Sequence, residues 1–120
     1  MSKAQNIQVT RKRRKKTLRN TKGYFGNASR LYRYARHQET HAGQNAYRDR
    51  RKKKTDMRQL WIVRINAACR AMGIPYSRFM NALKKSGIEL DRRVLSNMAA
   101  TDEAAFKALV EQVKPFISAS

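Results

Sequence analysis

Acidic residues are scarce in this chain of 120 residues: eight Asp and Glu face 28 Lys and Arg, for a formal net charge of +20. Eight carboxylates, scattered singly or in pairs, offer little material for acid/base catalysis. A single cysteine, Cys69, excludes an intramolecular disulfide and suits a reducing compartment. No apolar run approaches the ~20 residues needed to span a bilayer. Met1 to Thr10 is too polar for a signal-peptide core, and the basic run begins only at Arg11. A cytoplasmic chain without an address tag is therefore expected.

Motifs that carry reactions are also missing. There is no glycine-rich phosphate loop, nucleophile elbow or metal cluster. His37 and His41 lie four apart with Glu39 between them. A zinc helix needs its glutamate directly after the first histidine, whereas this segment reads His-Gln-Glu-Thr-His and offers no third ligand. Polar helix surface or a phosphate contact is the expected role. Cys69 falls on an apolar stripe without a partner histidine and reads as a small core residue. No enzyme activity, cofactor, metal or small-molecule substrate is expected.

Charge divides the chain near residue 60. Residues 1–60 carry a net +16, with Glu39, Asp49 and Asp56 their sole acids, and residues 61–120 carry +4. Apolar residues follow the opposite gradient. A basic RNA-binding extension over 1–58 is expected, comprising a tail over 1–28 and a long helix from about residue 29, followed by a small helical globular domain over 59–120. The excess of one sign calls for a polyanion as partner.

No proline precedes Pro75, which permits very long helix. Residues 1–22 hold few large apolar side chains beyond Ile7, Val9 and Leu18, so alone they are expected to be disordered. Gly23 and Gly26 bracket Tyr24 and Phe25 in a turn. From Ser29, a suitable N-cap, helix-compatible residues run to Met72, with a kink or break expected near Gly43 or within Lys52 to Lys54. Apolar residues thicken from Met57 through Leu60, Trp61, Ile65, Ala68 and Met72, at helical spacing. Gly73 and Pro75 end that helix. Three short helices follow: one from about Pro75 to Ser86, one capped by Asp91 presenting Val94, Leu95 and Met98, and one capped by Thr101 presenting Phe106, Leu109, Val110 and Val113. Strand-like alternation is absent, and the fold class is all-α.

Three basic clusters are the candidate RNA-binding residues. The first is Arg11, Lys12, Arg13, Arg14, Lys15 and Lys16 with Arg19 and Lys22; the second is Arg30, Arg33 and Arg36; the third is Arg48, Arg50, Arg51, Lys52, Lys53 and Lys54 with Arg58. Each cation that neutralises a phosphate releases counterions, the main source of affinity for nucleic acid. Aromatics interleave with the arginines, and unpaired bases stack on such rings; Tyr24 and Tyr34 are the leading candidates, ahead of Phe25, Tyr32 and Tyr47. Trp61 reads as core. Arg64, Arg78, Lys84, Lys85, Arg92 and Arg93 are secondary candidates on the apolar module.

Several runs resemble the family of bacterial and organellar large-subunit ribosomal protein twenty. They are Thr21-Lys-Gly-Tyr-Phe-Gly-Asn-Ala-Ser-Arg-Leu-Tyr-Arg-Tyr-Ala35, Ala42-Gly-Gln-Asn-Ala-Tyr-Arg-Asp-Arg-Arg51, Arg58-Gln-Leu-Trp-Ile-Val-Arg-Ile-Asn-Ala-Ala68, Tyr76-Ser-Arg-Phe-Met-Asn-Ala-Leu-Lys-Lys85 and Ile88-Glu-Leu-Asp-Arg-Arg-Val-Leu95. Together they cover most of residues 10–113. The resemblance implies an extension threading through large-subunit ribosomal RNA, an early role in assembly, a place in the cytoplasmic ribosome, and large-subunit proteins thirteen and twenty-one as neighbours. Pro75 departs from the small polar cap common in that family.

Two other classes compete. A basic DNA-binding or nucleoid-compacting protein could use the short helices as a helix-turn-helix, but these carry fewer charges than the extension. A cationic membrane-active helix needs a continuous apolar face, which residues 1–60 lack.

Overall fold

The computed structural model describes residues 3–117, with side chains from Asn6 onward; of the polar start Met1 to Thr10, Met1 and Ser2 lie outside the described residues. Five α-helices form the described residues, and no strand occurs among them: α1 (Lys3–Asn20), α2 (Tyr32–Ala71), α3 (Tyr76–Lys85), α4 (Arg92–Thr101) and α5 (Glu103–Ile117), with a short 3-10 turn at Gly26–Ser29 before α2. The class is all-α, as the sequence indicates. The chain divides into two units between Lys52 and Lys53.

The first unit holds α1, the turn and the start of α2. Residues 1–22, expected to be disordered when alone, contain the eighteen-residue α1 in this structure. Neither glycine nor proline interrupts it, and most of its residues have high helix propensity. At its end the chain reverses through Gly23 and Gly26, both with positive φ (90° and 62°), a conformation that glycine adopts without steric cost. Thr21 is fully buried there, its Oγ1 donating to the carbonyls of Thr17 (3.2 Å) and Leu18 (3.3 Å). Asn20 Nδ2 donates to Glu39 Oε1 at 2.6 Å, tying the end of α1 to α2. Ser29 does not cap α2 as expected. It belongs to the 3-10 turn, and its hydroxyl donates to the Gly26 carbonyl instead of accepting from a helix N–H. Helix α2 begins three residues later, its first turn closed by the bond from Ala35 N–H to Leu31 O.

Of the kink or break expected in α2, no break occurs. Forty residues run as uninterrupted α-helix through Gly43 and Lys52 to Lys54, about 60 Å at 1.5 Å per residue. One interior glycine costs only about 1 kcal/mol relative to alanine, and lysine is a good helix former whose charge leaves the backbone ladder intact. The helix stops at Gly73 (φ 73°), where Gly73 N–H bonds Arg70 O and Ile74 N–H bonds Cys69 O, the paired bonds of a Schellman motif.

The second unit holds the core. Ile65 and Cys69 of α2, Phe79, Ala82 and Leu83 of α3, Leu95 of α4, and Phe106, Leu109, Val110 and Val113 of α5 form one buried cluster. Helix α5 is its hub, packing on both α3 and α4. The rings of Phe79 and Phe106 lie 5.6 Å apart, tilted by 46°. The apolar stripe of α2 sinks into this core later than expected: Met57 and Leu60 are exposed and Trp61 is half-buried outside the cluster. Val94 is likewise exposed, because Leu95 and Met98 take the inward positions on α4.

The caps differ in part from those expected. Asp91 stands before α4 without a side-chain capping bond. Thr101 belongs to α4, and Asp102 caps α5, its Oδ1 accepting from Ala105 N–H at 3.0 Å. Asp102→Ala is therefore expected to lower the stability of this unit by about 1 kcal/mol, with Thr101→Ala much closer to neutral. Phe106→Ala, which empties the centre of the core, is expected to cost about 3–5 kcal/mol. Chemical denaturation followed by circular dichroism checks all three.

Candidate nucleic-acid interface

The buried faces of the first unit are narrow, and cations fill what is left. On α1, at about 100° per residue, Thr10, Arg14 and Thr17 share a side. Thr10 is half-buried and Thr17 buried, which marks that side as inward. Lys12, Lys15, Lys16 and Arg19 lie on the opposite side, where they line one shallow hollow. Arg11 and Arg13 flank them. Lys22 follows in the turn and is exposed. On α2, buried Ala35 marks the inward face, and Arg33 and Arg36 turn away from it. Arg30 is exposed just before that helix.

Every cation among the candidates, from Arg11 to Arg58, is exposed. In the third cluster Arg48, Arg50, Arg51, Lys52, Lys53 and Lys54 occupy nearly two turns, so charge surrounds the helix. Internal neutralisation is slight. Arg48 Nε stands 3.6 Å from Asp49 Oδ1 in an exposed pair, an arrangement worth little in water. Arg51 is pre-set by a ring rather than a carboxylate: its guanidinium lies 5.2 Å from the Tyr47 ring centroid and donates to the Tyr47 hydroxyl at 3.0 Å. The acid nearest the N-terminus is Glu39, which the Asn20 amide engages.

One concave feature was not legible in the sequence. A groove of about 560 Å³ is lined by Arg14 of α1 and by Tyr32, Arg33, Arg36, His37 and Thr40 of α2. The Arg14 guanidinium sits 5.4 Å from the centroid of the Tyr32 ring. This places Arg14 beside the second basic cluster, a meeting set by the reversal at Gly23 and Gly26 and not by any local pattern. His37 and His41 stack with ring centroids 6.1 Å apart, an i, i+4 pair on the helix surface.

The aromatic candidates separate by environment. Tyr34 is exposed on α2, Tyr24 is at the margin of exposure, and Phe25 is completely exposed. Arg14 covers Tyr32, and Arg51 covers Tyr47. Of the secondary cations, Arg64, Arg78, Lys84, Lys85 and Arg93 are exposed, whereas Arg92 is half-buried and donates from Nε to the Tyr76 hydroxyl at 3.0 Å.

Comparison with known proteins gives concordant results. The model of the family described as Ribosomal protein L20 matches residues 3–109 of this chain. The large ribosomal subunit protein bL20 of Opitutus terrae is 57% identical over 114 residues, covering 95% of this chain and 90% of that protein.

Cys69 lies in the core, and burial pushes its thiol up to about 11 from an ordinary 9.0. The folded protein is expected to resist iodoacetamide at pH 8 and to react once unfolded, as mass spectrometry would record. Between pH 9 and about 11 the unfolded chain ionises this thiol while the folded chain keeps its proton. Stability present below pH 9 is therefore lost across that window.

Proposed function

Because the chain belongs to the ribosomal protein L20 family, we propose that it is a structural constituent of the large ribosomal subunit that binds large-subunit ribosomal RNA directly and promotes early subunit assembly. The observation that carries this reading is the one-signed surface between Arg11 and Arg58: exposed cations along the outer side of α1 and all round the Arg48–Lys54 turns of α2, with almost no carboxylate to neutralise them. Phosphates converging from several RNA helices neutralise such a surface, whereas a single flat partner would leave one side charged. Arginine forks bridge two phosphates where lysine offers a point charge, which favours Arg30, Arg33, Arg48, Arg50 and Arg51 as the principal contacts.

In this reading residues 1–58 are the RNA-binding extension and residues 59–120 a small helical globular domain. Large-subunit proteins thirteen and twenty-one are the expected protein neighbours, in the cytoplasmic ribosome. The chain contributes position and charge to the assembly, not chemistry.

Reversing charge at Arg50→Glu and Arg51→Glu together is expected to weaken binding to large-subunit ribosomal RNA at 0.15 M salt, measured by filter binding. The neutral pair Arg50→Ala and Arg51→Ala should flatten the slope of log K against log salt by about 2, one for each lost phosphate contact. Unchanged affinity and slope in both variants would contradict the proposed contacts. A competition in which duplex DNA displaces the protein as readily as structured ribosomal RNA would favour a general nucleic-acid compactor instead.

A further inference from the structure

Phe25 is fully exposed, whereas Phe79 and Phe106 of the same chain are buried to within 1%. It stands at the tip of the reversal between α1 and α2, so it contributes nothing to the core. The backbone that presents it is nonetheless closely specified. Gly23 and Gly26 hold positive φ on either side, and Phe25 itself is extended at φ −65° and ψ 137°. Before the tip, Tyr24 N–H bonds Thr21 O at 3.0 Å, and Thr21 is fully buried. After it, Ser29 Oγ bonds Gly26 O at 3.1 Å. A braced turn thus holds an apolar ring out into solvent.

Beside that ring lies a hollow of about 440 Å³ lined by Tyr24, Phe25, Ala28 and Gln38. Its lining is an apolar ring, a second aromatic, one small side chain and one exposed amide able both to donate and to accept. Charge decides among possible occupants. Lys22 and Arg30 flank the tip, and no acidic residue occurs anywhere before Glu39. An occupant with a planar ring must therefore bring anions with it. A nucleotide in single-stranded RNA does so, since each base carries its own phosphate, and unpaired bases stack on aromatic side chains.

We propose that Phe25 is a base-stacking residue: an unpaired base of the bound RNA packs on its ring, with Gln38 meeting the base edge and Lys22 and Arg30 the adjoining phosphates. This rests on the RNA-binding reading above and goes beyond it, because a stack adds affinity that salt does not screen.

The test compares the full-length protein with Phe25→Ala, Phe25→Leu and Phe25→Trp, titrated against a large-subunit ribosomal RNA transcript over a range of KCl concentrations. All should fold alike by circular dichroism, since the side chain touches no core. Phe25→Ala is expected to weaken binding about 5- to 150-fold, the range for loss of one base–aromatic stack, while the slope of log K against log salt stays that of the wild type. Phe25→Trp should restore affinity, and Phe25→Leu, apolar but not planar, should not. Chemical probing should show one or a few discrete unpaired nucleotides exposed in the Phe25→Ala complex and protected in the wild type. Wild-type affinity in Phe25→Ala overturns the stacking role while leaving the RNA-binding reading intact. Full activity in Phe25→Leu overturns it in favour of an apolar pocket, in RNA or a protein. Failure of the wild type itself to bind the transcript overturns both.

Discussion

Uncompensated positive charge is the constraint on which the rest of this molecule depends. Along α1 and α2, like charges recur at i, i+4: Arg11 with Lys15, Lys12 with Lys16, Lys15 with Arg19, Arg48 with Lys52, Arg50 with Lys54 and Lys54 with Arg58. Each such pair disfavours the helix by about 0.2–0.5 kcal/mol. Burial does little to offset this in the first unit, where Thr17, Thr21 and Ala35 are the buried residues among those described. Helix propensity and a few polar ties at the reversal set the backbone path. Under the proposed function, anions of a folded RNA stabilise that path from many directions.

The second unit solves the opposite problem with ordinary means. Its core draws on four helices, and α5 meets both α3 and α4, so one short helix organises the remainder. Helix α2 carries both chemistries: exposed cations up to Arg58, then the buried Ile65 and Cys69.

Much of this was legible in the sequence because it depends on local pattern. Helical spacing identified Ile65, Leu95, Phe106, Leu109, Val110 and Val113 as core, Gly73 as a helix stop and the Gly23–Gly26 pair as a turn. What failed was either competition between neighbouring caps or context. Thr101 and Asp102 are both good cap residues, and only the backbone decides that Asp102 points at Ala105 N–H. Ser29 satisfied a cap rule but was claimed by the turn that Gly26 begins. Scarcity of apolar residues argued against a core for residues 1–22, and the absence of helix breakers is the local signal that marks their path as α1. The groove joining Arg14 to Arg33 and Arg36 could not be read at all, since nearly twenty residues and a reversal separate its walls. The exposure of Phe25 was hidden for a similar reason: a ring between two glycines reads equally well as a turn plug or as a presented side chain.

Hydrogen exchange of the full-length protein, alone and bound to large-subunit ribosomal RNA, tests the central claim most directly. If external anions stabilise the first unit, amides of α1 and of α2 up to Arg58 should exchange rapidly in the free protein and slow by orders of magnitude in the complex. Those of α3 and α5 should be protected in both states. Strong protection of α1 in the free protein at physiological salt, unchanged by the RNA, would contradict the account.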